Sequence, residues 1–456
     1  MGHDCFGQIT TLETDAARRA WDQTQLAFLA HGADTPTHLM ATLTAEPEFA
    51  LGHATKGLFY LLLGRRELYA TAAEALNTAK TLAAEGQISW RERKFIDALE
   101  AYMSNMPTLS VQHLEEVLRV HPDDPLAMKL SHAIRFVLGD SAGMRRSIER
   151  VLPAYGVDHA AKGYLLGCHS FALEETGDYS KAEIAGRQAL WIAPDDAWGL
   201  HAVAHVYDMT CDAAGGLNWL TGRENAWAHC NNFRYHVWWH KALMHLDLGQ
   251  IDVVMDLYDQ KIRADHTDDY RDISNATSLL SRLELEGVDV GNRWEELADI
   301  SAQRTEDGCL IFADLHYLLA LIGGEKETAI ATMMARMNAD VTNHSNDVSE
   351  RMGDPGLAAA AGLHAFGEGE YNEAFAYLAS ARATMPRAGG SHAQRDVFER
   401  LTIDAGLRAG RLDEAERILD DRQARRAGQD DGYSAARRDL IAAARGAAHD
   451  TAIPAE

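Results

Sequence analysis

Residues 177–196 read GDYSKAEIAGRQALWIAPDD, and the fold follows from this stretch. Gly177 can end one helix by taking a left-handed turn. The acidic residue behind it favours the N-terminus of the next helix. Small and apolar side chains then recur at three-to-four spacing, which indicates a helix with one buried face. Pro194 cannot continue that helix, and Asp195-Asp196 can cap another. The same punctuation returns in GQIDVVMDLY at 249–258, GEYNEAFAYL at 369–378 and GRLDEAERIL at 410–419. VLRVHPDD at 117–124 closes as ALWIAPDD at 189–196 does. Strand-like alternation is scarce, and ten prolines serve the whole chain.

Helix, tight turn, helix, at a period of about 34 residues, resembles the tetratricopeptide repeat. The pattern covers most of 40–425. It predicts an all-α fold: tetratricopeptide-like helix-turn-helix repeats stacked into a curved superhelical solenoid, since one repeat cannot bury its apolar face alone. The expected divisions are an N-terminal helical cap at 1–40, the solenoid at 41–425, and a C-terminal capping helix and tail at 426–456.

The bulk composition bounds the function. The chain has 456 residues, 46% hydrophobic, with a formal net charge of −25. An acidic surface repels phosphate backbones, which argues against nucleic acid as a partner. The longest apolar runs, such as GLFYLLLG at 57–64, are too short to span a bilayer, so no membrane association is expected. Five scattered cysteines without a CxxC pair indicate neither a disulfide framework nor a zinc knuckle. The opening MGHDCFGQITTLETD lacks a basic segment followed by an apolar core, and a cytoplasmic location is expected.

Two stretches carry the chemistry. HAVAHVYDMTCD occupies 201–212 and HVWWHKALMHLD occupies 236–247, 35 residues later. Residues four apart on a helix share a face. His201, His205, Asp208 and Asp212 therefore form one polar stripe, and His236, His240 and Asp247 the next. One repeat further on come Arg271, Asn275, Ser278 and Arg282. First helices of such repeats line the concave side, so the three stripes aim into one groove. Two HxxxH pairs on adjacent helices can hold a divalent transition metal, zinc foremost, because imidazoles four apart project in parallel. An aspartate such as Asp208 could complete or orient the ligand set. A metal-free ligand site and a structural His/Asp hydrogen-bond network are the competing readings.

Several blocks resemble a narrower family, the tetratricopeptide repeat protein 38 family: HAVAHVYDM, RYHVWWHKAL, SLLSRLELEGVDVGNRW at 278–294, ADLHYLLAL at 313–321 and GGSHAQRDVFERL at 389–401. That resemblance implies a helical repeat fold and no settled activity.

Other candidates are weaker. Trp238 and Trp239 point about 100° apart, so at most one faces the groove. His316 and His169 lie in apolar helices and read as core histidines. Adjacent Cys168-His169 and His229-Cys230 are poor geometry for a nucleophile and its base. Ser391 suits an N-cap that puts His392 and Arg395 in a first helical turn, a setting for a carboxylate or phosphate. The ligand-binding candidates are thus Asp208, Arg271, Asn275, Arg282, His392 and Arg395, with His201, His205, His236 and His240 as metal ligands. The expected function is a His/Asp/Arg-lined pocket for a small polar or anionic ligand, hydrolase-like if catalytic. The alternative is a non-enzymatic scaffold whose groove binds a peptide.

Overall fold

The computed structural model describes residues 2–343 and 345–452, the last six of these by their backbone alone. Residues 453–456 of the expected tail lie outside the described residues. The chain forms tetratricopeptide-like helix pairs in succession. Lys162–Glu174 packs on Tyr179–Ile192, Ala197–Met209 on Ala213–Leu220, and Phe233–Asp247 on Ile251–Leu257. Tyr270–Leu285, Ile311–Gly323, Leu357–Gly367 and His392–Arg408 each open a later pair. Among the described residues, the only named strands are Gly2–His3 and Ile9–Thr10, paired antiparallel.

The punctuation works as its chemistry requires. Gly177 takes φ +81°, a conformation that a β-carbon penalises. Asp124 accepts from the Ala127 N–H at 3.0 Å, and Asp196 from the Gly199 N–H at 3.2 Å. Each of these Pro-Asp-Asp endings therefore does cap the following helix. Asp178 behaves differently. It makes no side-chain cap, because Lys181 at 2.7 Å and Arg145 at 3.3 Å engage its carboxylate instead.

The expected boundary at residue 40 cuts the helix Thr35–Ala45, which packs on Asp15–Leu29 as an ordinary first pair. Helix Leu412–Arg425 ends at the second expected boundary, and Gly432–Ala452 follows it.

The solenoid curls until distant repeats touch. The Glu175 carboxylate accepts from the His392 N–H at 2.7 Å. Arg426 donates to the Asp208 carbonyl at 2.8 Å, and Gly432 N–H to Asp247 at 2.7 Å. Arg304 reaches back to Glu67 at 2.8 Å. Helix His392–Arg408 thereby lies against the inner ends of Lys162–Glu174 and Tyr270–Leu285. The protein's own chain occupies that part of the concave face.

Candidate metal centre

Helices Ala197–Met209 and Phe233–Asp247 are consecutive first helices, so their polar stripes face each other at equal height. His201, His205, His236 and His240 converge there, with at most 8% of any side chain's residue surface exposed. Their Nε2 atoms form a compact set. His201 and His205 stand 2.8 Å apart, His201 and His236 3.3 Å, and His236 and His240 3.1 Å. Four nitrogens about 2.0–2.1 Å from a tetrahedral zinc would lie about 3.3 Å from one another.

The outer nitrogens fix what the inner ones can be. Nδ1 of His201 faces the Trp198 carbonyl at 3.3 Å, and a carbonyl can only accept. Nδ1 of His236 faces Oδ1 of Asn275 at 3.0 Å. Nδ1 of His205 faces the Glu174 carboxyl at 3.5 Å. His201 and His236 therefore carry the proton on Nδ1 and a lone pair on Nε2, whereas Nδ1 of His205 and of His240 has no hydrogen-bond partner among the described residues. Two lone pairs then face each other across 3.3 Å, and no hydrogen bond between those two nitrogens satisfies them. A shared cation would relieve this, as would Nε2 protons on His205 and His240. Such outer partners also hold metal-binding imidazoles in orientation.

Burial keeps the set uncharged. It holds His201, His205 and His240 well below the usual imidazole range, with neighbouring histidines adding to the effect, and brings His236 down to about 4. Glu174 is fully buried, and burial pushes its carboxyl well above the usual range, reinforced by Glu175 and Asp208. Trp239 stacks on His236 with ring centres 5.2 Å apart, while Trp238 packs on Trp227.

A cavity of about 490 Å³ opens onto this cluster, with His201 and His236 in its wall. Its lining comes from both ends of the solenoid, including Phe28, Phe59, Phe136, Leu310 and Phe312. Lys129, His132 and His31 lie at the polar end, around Trp198.

The remaining candidates fall elsewhere. Asn275 is at the cluster, as the outer partner of His236. Arg271 lines the cavity but is held by Asp269 at 2.9 Å. Arg282 is fully buried and donates to the carbonyls of Ser278 at 3.0 Å and Ala393 at 2.6 Å, with Asp396 at 3.6 Å. Arg395 pairs with Glu175 at 3.2 Å. The three arginines thus do not meet at one anion site: Asp269 holds Arg271, Glu175 holds Arg395, and Asp396, near Arg282, is bonded to Arg400 and Arg422. The first turn at His392 is met by the Glu175 carboxylate, so the chain supplies the anion itself. Asp208 holds Arg426 rather than a ring of the cluster. Asp212 caps its own following helix through Gly215. His316 is a core residue, bonded to the Phe312 carbonyl at 2.7 Å.

Sequence reasoning passed over Glu174, Lys129 and His132. The signal was present: an acidic pair inside FALEE at 171–175, and a lysine inside PLAMKLSHAIRFV at 125–137, both within otherwise apolar helices.

No family model matches the chain. Among solved structures, human IFIT1, in a dimer with PPP-AAAA, is similar over 95% of this chain and 96% of its own, at 13% identity and a TM-score of 0.42. The Naa15/Naa10 complex bound to HypK-THB matches over 90% of this chain and 63% of that one, at 12% identity and a TM-score of 0.25. Among the described residues, no helix is long and apolar enough to cross a membrane.

Proposed function

We propose that this tetratricopeptide-like protein is a metal-dependent enzyme, with one divalent transition ion held by His201, His205, His236 and His240 at the wall of a pocket for a small ligand. One observation carries the reading: four buried imidazoles bring a nitrogen each within 4.8 Å of the others, and the outer partners of His201 and His236 turn two Nε2 lone pairs inward. Four imidazoles are neutral ligands, so the ion would keep its full double charge and act as a strong Lewis acid. Imidazole nitrogens suit zinc, and equally iron, copper or nickel. Because His201 and His236 border the cavity, a ligand oxygen or a water could approach the ion from that side. Hydrolysis-type chemistry fits this arrangement. A cytoplasmic setting and membership of the tetratricopeptide repeat protein 38 family belong to the same proposal, on the sequence blocks alone.

Elemental analysis of protein purified without chelators tests it. About one equivalent of a transition metal per chain is expected, reduced strongly in the double variant His201→Asn, His240→Asn. Metal-free protein that takes up none of zinc, iron, copper or nickel on addition would refute the reading. The four rings would then be a packing network.

A further inference from the structure

Lys129 is 3% exposed and lines the cavity. It makes no ion pair among the described residues. Its one hydrogen bond goes to the Cys168 sulfur at 3.7 Å, and it lies 5.2 Å from the centre of the Trp198 ring. The fully buried Asp196 carboxylate is within Coulombic range, with one oxygen capping Ala197–Met209 through Gly199 and the other without a partner among the described residues. Beside Lys129, His132 is also 3% exposed, and neither of its ring nitrogens has a protein partner. Nε2 of His31, whose ring stacks on Trp198, lacks one too.

A buried ammonium without a direct ion pair is costly. A cation–π contact offsets part of that. Such an arrangement persists where an anion completes it. Arg271 also borders the cavity, but Asp269 already neutralises it. Lys56 and Arg351 also line the cavity, half-buried and without an ion pair among the described residues, whereas Lys129 is nearly fully buried there. The rest of the wall is largely apolar, with Phe59, Leu63, Phe136 and Phe312 among its residues. About 490 Å³ lies within the ordinary range of ligand pockets.

We propose that the pocket takes a small amphipathic monoanion, of the alkyl-carboxylate kind, with its head group on Lys129 and His132 and its apolar body along the aromatic wall. Lys129 and His201 both pack against Trp198, so the head group would sit between the ammonium and the histidine cluster. The proposal rests on the pocket of the preceding section but not on its metal, and the two can fail separately.

The test is calorimetric binding of decanoate, decanol and decyltrimethylammonium to the metal-stripped protein. Decanoate should bind at least tenfold more tightly than decanol, and the cation not at all. Lys129→Met should abolish the preference for decanoate while leaving decanol binding in place, which also shows that the variant is folded. Lys129→Arg should restore most of the preference. Equal binding of decanoate and decanol to the wild type would overturn the proposal, as would an unchanged preference in Lys129→Met. Decanoate binding that requires added metal and ignores Lys129 would overturn it too, because the head group would then be a ligand of the ion alone.

Discussion

Acidifying the metal-stripped protein should destabilise it through the histidine cluster, by an amount the burial sets. The four imidazoles are held well below the ordinary range, His236 at about 4, with burial as the first cause of each. In the unfolded chain each would titrate near its ordinary value of about 6.5. The folded values are depressed, so the stability these rings contribute is complete above about 6.5 and is lost as pH falls below it. Between about pH 7 and about pH 5.5, one such histidine takes up most of a proton on unfolding and none in the fold, a loss of about 1.3 kcal/mol. Four of them lose about 5 kcal/mol over the same interval. The other buried histidines, His31, His132 and His316, shift in the same direction and add to the wild-type slope. The informative quantity is therefore a difference. Urea unfolding at both pH values should show His201→Asn, His240→Asn losing about 2.5 kcal/mol less than the wild type. If the double variant loses as much as the wild type, the four rings are not held neutral by burial. The lone-pair argument for a cation would then fail with them.

Three further outcomes follow from single contacts. Asn275→Ala removes the outer partner of His236 and should weaken metal affinity by about 10- to 100-fold in a chelator competition; unchanged affinity would show that Asn275 does not orient the ring. Arg282→Met removes a fully buried guanidinium that holds the Ser278 and Ala393 carbonyls; it should lower unfolding stability by about 3 kcal/mol while leaving metal content unaltered, and the reverse pattern would make Arg282 a site residue. Gly390→Ala puts a β-carbon at φ +76° and 2.5 Å from Cε2 of Phe312, so melting temperature should fall markedly; a stable variant would mean this cavity wall yields freely.

Most of the helix pairing and the meeting of the four histidines were legible in the sequence because both are local. A glycine that needs positive φ, a proline that lacks an N–H and a capping aspartate each act within one turn. His201 and His205 share a face by helix geometry, and a 35-residue offset carries that face to His236 and His240. The arginines show where the same logic stops. Arg271 and Arg282 share a stripe, yet eleven residues of helix separate them by about 16 Å along the axis. Being on one face is not being at one height. Asp269 holds Arg271 at the cavity wall, while Arg282 is buried on the Ser278 and Ala393 carbonyls with Asp396 at 3.6 Å.

Closure of the ring was the least legible feature, for a physical reason. Each repeat turns the solenoid by a small angle that depends on packing between neighbours, and successive repeats multiply any error. Whether Glu175 would reach His392 could not be read from either segment. Yet that contact bears directly on the proposed function. An open concave face lined by His, Asn and Arg would suit an extended peptide. With His392–Arg408 in that face, held by Glu175 and by the Arg282 bond to Ala393, the space left is a partly open cavity of about 490 Å³. The same return of the chain brings His392 and Arg395 within Coulombic range of His205. Burial holds the imidazoles neutral, and neutrality leaves nitrogen lone pairs free for an ion. The distant ion pair at Glu175 thereby bears on the candidate metal site through charge and packing rather than through any direct bond.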